Sequence, residues 1–115
     1  MAKKKPGPRL SPQPVASPTI HEATLGAAGA VIRGAQINQA QAEARRQNGL
    51  DVVVCGPTLG LNSALAQQIE ANANGPWKRC PPHASAGQNA LPHYQPDPRP
   101  PDGHTFYETP NRRAI

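Results

Sequence analysis

Thr19-Ile20-His21-Glu22-Ala23-Thr24-Leu25-Gly26-Ala27-Ala28-Gly29-Ala30-Val31-Ile32-Arg33-Gly34-Ala35-Gln36-Ile37 is the stretch on which the fold class turns. It opens with Thr19-Ile20-His21-Glu22, which fits a capping box: the Thr hydroxyl bonds the N3 amide and Glu22 reaches back to the cap. No Pro follows until Pro57, Ala is abundant, and Asn48-Gly49 supplies a C-terminal stop. These signals predict a helix over 19–47. Gly26, Gly29 and Gly34 oppose it, each costing up to about 1 kcal/mol relative to Ala. Small residues also let another backbone come close. Arg33 and His21 interrupt the apolar run, which favours a soluble packing face over a membrane contact. Residues 38–47 are nearly all polar and read as a solvated end of the same helix.

Downstream, Asp51-Val52-Val53-Val54-Cys55 lies between Gly49 and Gly56-Pro57. Three consecutive valines in that setting predict a short buried strand over 51–55. Residues 58–73 predict a second helix, with Leu61, Leu65 and Ile69 as one apolar stripe and Asn74-Gly75-Pro76 as its end. His104-Thr105-Phe106-Tyr107-Glu108 reads as a short strand over 104–108, after the turn Pro101-Asp102-Gly103. The expected fold is a small α+β unit with a mainly helical core. Its expected parts are a disordered basic, Pro-rich arm over 1–18, a helical and strand core over 19–75, and a C-terminal segment over 76–115 rich in Pro, His and aromatics.

Composition limits what this unit can be. Of 115 residues, 15 are Pro and 10 are Gly, and aromatic residues make up 3%. Leu, Ile, Val and Phe together fall below about one-fifth of the chain, near the disorder boundary. A large single core is excluded. The net charge is +5, from 12 Lys and Arg against 7 Asp and Glu, which favours an anionic partner such as RNA. Lys3, Lys4 and Lys5 carry much of that excess in the arm. No stretch is long and apolar enough to span a bilayer. Pro6, Gly7, Pro8, Pro12 and Pro14 stand where a secretory signal needs an apolar run, so the expected site of synthesis and first residence is the cytoplasm. Cys55 and Cys80 set no disulfide framework and read as free thiols.

The chemistry-bearing residues gather after Pro76. All four aromatics and three of the four His lie there. His93 and His104 are the candidate catalytic pair: two His can act as general base and general acid in phosphodiester transfer through a ribose 2′-hydroxyl. Arg99, Arg112 and Arg113 are candidates to hold phosphate. Tyr94 and Tyr107 are candidates to stack on bases, and Asp102 and Glu108 to orient an imidazole. The turn at Pro101-Asp102-Gly103 would bring His104 back toward His93. Such chemistry needs no metal and no cofactor. Cys80-x-x-His83, with His93, His104 and Cys55 in reserve, is a weak zinc signal. In a polyproline II run over Pro81-Pro82, at about 3.1 Å per residue, its two ligands would stand about 9 Å apart. Pro98-Arg99-Pro100-Pro101 has the spacing of a proline-rich ligand. Gly56-Pro57-Thr58-Leu59-Gly60 lacks the Gly-Lys-Ser/Thr ending of a phosphate loop, which excludes that nucleotide fold.

The segment Leu91-Pro92-His93-Tyr94-Gln95-Pro96, with Asp102-Gly103-His104-Thr105-Phe106-Tyr107, resembles the variable C-terminal regions of bacterial polymorphic toxins. These are the ends of Rhs and contact-dependent-inhibition proteins, and the resemblance in texture covers residues 76–109. It implies an antibacterial effector, delivered to a target cell without a cleavable signal, often a nuclease, and neutralised by a cognate immunity protein. The leading expectation is therefore a small basic toxin that cleaves RNA with a His pair. The competing expectation is a non-catalytic interaction protein, whose arms order on a ribonucleoprotein or phage particle or serve as a proline-rich ligand.

Overall fold

The computed structural model describes residues 17–82 and 84–115. The arm expected over 1–18 falls almost wholly outside them, and so does His83. Strands β1 (Thr19–Leu25) and β2 (Val31–Ile37) lead to helix α1 (Gln39–Gln47), strand β3 (Val52–Cys55) and helix α2 (Leu59–Asn74). Strands β4 (Trp77–Cys80), β5 (His93–Pro96) and β6 (Thr105–Tyr107) follow. All six strands form one mixed sheet in the order β2-β1-β3-β6-β5-β4. β3 runs parallel to β6, and every other pairing is antiparallel.

The mainly helical core is corrected by this sheet. Residues 19–37, expected as helix, form the β1–β2 hairpin. The Thr19 hydroxyl does not cap a helix; it bonds the imidazole Nε2 of His21 at 2.9 Å. Glu22 faces Arg45 at 3.7 Å instead of reaching back along its own backbone. The glycines that weigh against a helix have strand and turn roles. Gly26 donates across the hairpin loop to the carbonyl of Ala30 at 2.8 Å. Gly34 sits where the β1–β2 register slips by one residue, and a Cβ there would lie 3.3 Å from the Glu22 carbonyl oxygen. The helical part of the predicted 19–47 begins only at α1. There Asn38 accepts from the Gln41 amide at 2.8 Å, and the Gln41 side chain accepts from the Asn38 amide at 2.9 Å.

β3 is central and all four of its residues are buried. The alternation of strand side chains divides the core between two faces. On one face Ile20, Val52, Val54, Tyr94 and Tyr107 pack with Ala42 of α1 and with Ala66 and Ile69 of α2. On the other, Ala23, Val31, Val53, Cys55, Leu91 and Phe106 pack together with Ala114. The C-terminal residues run along this second face, where Ile115 donates to the Val31 carbonyl and Arg113 to the Gln88 carbonyl, both at 2.9 Å. The expected stripe on α2 is also corrected. Leu61 is exposed and Leu65 only borders the core, while Asn62, Ala66, Ile69 and Glu70 face inward. The two large tyrosine rings take up space under α2, and its buried positions hold small or polar side chains beside one large apolar one, Ile69.

One of those polar side chains completes a buried ion pair. Arg46 of α1 and Glu70 of α2 have no solvent exposure and meet at 2.8 Å. Glu70 also accepts from Thr105 Oγ1 at 2.9 Å and from Asn74 Nδ2 at 2.6 Å. Arg46 donates to the carbonyls of Leu50 and Asp102 at 3.0 and 2.9 Å. Gly103, at φ +95°, is required beside it, because a Cβ would collide with the Arg46 guanidinium and the Gly49 carbonyl. This pair ties both helices to the turn that leads into β6.

Candidate active site

β5 and β6 are antiparallel, with His93 opposite Phe106 and Tyr94 opposite Thr105. Period-two alternation then places His93 and Phe106 on the face away from the helices. His104 stands two residues before Phe106, and its ring lies on the same side. The His93 and His104 ring centroids are 4.7 Å apart, at an interplanar angle of 82°. Phe106 contacts both rings, at 5.2 Å from His93 and 5.0 Å from His104. The candidate catalytic pair is thus brought into direct contact, and the antiparallel return of β6 along β5 does it.

Each imidazole is held through Nδ1. A single Asp51 oxygen accepts from the His104 ring at 3.0 Å and from the His104 amide at 2.7 Å. The His93 Nδ1 lies 3.3 Å from the Leu91 carbonyl, to which it donates. Both contacts put the Nδ1 proton on the protein side. His104 and Asp51 keep 16% and 18% side-chain exposure, while His93 lies beneath at 3%.

The orienting carboxylate is Asp51, which the sequence places only at the start of a strand. Asp102 instead meets Arg99 at 3.5 Å in an exposed loop. Glu108 binds Arg113 at 3.1 Å and accepts from the Gly56 and Ala114 amides, at a separate cavity. Arg112 donates to the carbonyls of Gly87 and Ala90. Tyr94 and Tyr107 stack on each other at 5.5 Å on the helix side, with the Tyr94 hydroxyl 2.7 Å from Ser63 Oγ. Burial raises the Tyr107 phenol above its ordinary value. These two rings are core, on the opposite face from the His pair.

A cation absent from the expected set joins the His face. On β4, Lys78 lies opposite Gln95 and Cys80 opposite His93. Lys78 therefore shares the face of His93 and stands diagonally from it, about 7–8 Å between backbones. It is exposed on an edge strand. Its signal was legible: Trp77-Lys78-Arg79 is a basic and aromatic run. Only the register says which of its members faces the histidines.

Among the described residues, no group of three or more His, Cys, Asp or Glu is arranged to hold a metal ion. Among them, too, no helix is long and apolar enough to cross a membrane. Comparison of the chain with protein families, curated proteins and solved structures gives no match.

Proposed function

We propose that the protein is a metal-independent ribonuclease in which His93 and His104 are the acid–base pair. The observation that carries this reading is their ring contact at 4.7 Å, with Asp51 bonded to Nδ1 of His104. The two rings meet across paired strands, which holds them more firmly than a surface loop would. Phosphate approaches from the side on which His104 and Asp51 are exposed. His93 takes the proton of the ribose 2′-hydroxyl, and the 2′-oxygen attacks phosphorus. His104, positively charged and backed by Asp51, gives a proton to the departing 5′-oxygen. The products are a 2′,3′-cyclic phosphate and a free 5′-hydroxyl. Lys78 pairs with the non-bridging oxygens, and the +5 charge of the chain favours the polyanion. The textural resemblance to polymorphic toxins supports an effector role with an immunity partner.

The test is cleavage of a single-stranded RNA by purified protein, beside DNA of the same sequence and with a chelator present. RNA should be cut and DNA spared, the chelator should have no effect, and the rate should follow a bell in pH. His93→Ala and His104→Ala should each lower the rate by about 10²–10⁴. No cleavage by the native protein, or unchanged cleavage after both substitutions, rejects the proposal.

A further inference from the structure

A cavity of about 370 Å³ opens between the start of β1, Arg33 of β2, the end of β3 and the C-terminal residues. Ser17, Thr19, Arg33, Cys55, Glu108 and Arg113 line it, together with the Gly56-Pro57 turn. Its charge is two guanidinium groups against one carboxylate. That carboxylate is already committed: Glu108 accepts from the Gly56 amide at 3.2 Å, the Ala114 amide at 3.0 Å and Arg113 Nη1 at 3.1 Å. Arg113 spends Nη1 on Glu108 and on the Gly56 carbonyl at 2.8 Å, and keeps 45% side-chain exposure. Arg33 makes no ion pair among the described residues; its neighbour in the cavity is the Cys55 thiol.

α2 starts two residues beyond Pro57, and the Thr58 side chain makes no capping bond to its first amides. The lining stops at Pro57, so the first amides of α2 are not among the groups that face the cavity. The Thr19 hydroxyl uses its one proton within the protein, beside the Cys55 carbonyl at 3.4 Å and His21 Nε2 at 2.9 Å. Cys55 itself is not a reactive group here: burial, then the charge of Glu108, pushes its thiol up to about 11.

We propose that this cavity is a binding site for a phosphate monoester, with Arg33 and Arg113 as its clamp. A planar guanidinium meets phosphate oxygens through two parallel hydrogen bonds, which suits this ligand better than a point charge would. The volume falls in the range of small-molecule sites, about 300–1,000 Å³, and leaves room for a sugar or base behind the phosphate. The cavity shares a face of the sheet with the His pair, but none of His93, His104 and Asp51 lines it, so binding here does not depend on cleavage there.

The experiment is calorimetric titration of the full chain with inorganic phosphate, with cytidine 5′-monophosphate, and with a short DNA bearing either a 5′-phosphate or a 5′-hydroxyl. None of these carries an RNA linkage, so binding is read apart from cleavage. The monophosphate should bind, and Arg33→Ala should weaken it by about tenfold or more, the loss of one charged hydrogen-bonding partner. Arg33→Lys should recover only part of that loss, and Arg79→Ala, on β4 at the far edge of the sheet, should leave binding unchanged. Preference for the 5′-phosphate DNA over the 5′-hydroxyl form assigns the source to nucleic-acid ends; equal binding of inorganic phosphate and monophosphate assigns it to free phosphate. Absence of binding by every phosphate, or equal binding by Arg33→Ala, overturns the site.

Discussion

The two faces of the sheet are built from the same strands and do opposite things. His93 and Tyr94 are neighbours in sequence, yet one ring meets His104 and the other packs under α2. On the helix face Arg46, Glu70 and Thr105 form a buried network bordered by Asn74, with only Arg46 Nη2 of that network left unbonded among the described residues. The opposite face anchors each imidazole at Nδ1 and sets the two rings against each other. Polar groups that satisfy one another hold a fold together.

Removing Glu70 should give the largest effect. Glu70→Ala leaves the fully buried Arg46 without its counter-charge and should cost about 3–5 kcal/mol in urea unfolding. Replacing both partners, Arg46→Met with Glu70→Leu, should recover most of that loss. A Glu70→Ala protein of native stability would show that the helix face is not organised around the pair.

On the opposite face, Asp51→Ala should cost less, about 1.5–3 kcal/mol, the range for a hydrogen bond to a charged group. Its stronger mark should be kinetic: kcat on RNA falls while KM holds, because Asp51 positions His104 and does not touch substrate. A change confined to KM would contradict that role.

Tyr94→Phe sharpens the contrast between adjacent residues. It removes only the bond to Ser63 Oγ and should cost about 0.5–1.5 kcal/mol, with RNA cleavage unaltered. Cleavage lost in Tyr94→Phe would place that phenol in the chemistry and erase the division between faces.

The smallest effect at neutral pH belongs to Cys55. Its thiol, ordinarily near 9.0, is pushed up to about 11 by burial and then by Glu108. Between those values the unfolded chain has lost the proton that the folded chain retains. Stability from this group is therefore complete below pH 9 and declines as pH rises toward 11. Compared with Cys55→Ala, the native protein should lose stability faster over that window and not below it. Parallel pH curves would remove the shift.

Much of the local structure was legible. The three valines predicted a strand over 51–55, and β3 covers Val52–Cys55; the second helix was expected over 58–73, and α2 covers Leu59–Asn74. The approach of His104 to His93 followed from a ten-residue out-and-back segment. The stretch 19–37 was misread for a physical reason. Alanine favours helix, and no Pro breaks the run, so local propensity pointed one way. The β-branched residues Thr19, Ile20, Val31, Ile32 and Ile37 find partners only when β1 lies against β3 and β2 against β1. Those pairings lie outside any local window.

By itself the sequence determined the small size of the core, the net charge, the strand at the three valines, the end of α1 at Asn48-Gly49, and the gathering of His and aromatic residues after Pro76. Each is a property of composition or of a few neighbouring residues. Only the tertiary structure decided that Asp51 serves His104 across 53 positions, that Arg46 finds Glu70, and that Tyr94 and Tyr107 turn inward while His93 turns away. Strand register sets all three. A shift of one residue would carry every side chain to the other face, and register is fixed by burial on both faces together, which no single segment contains.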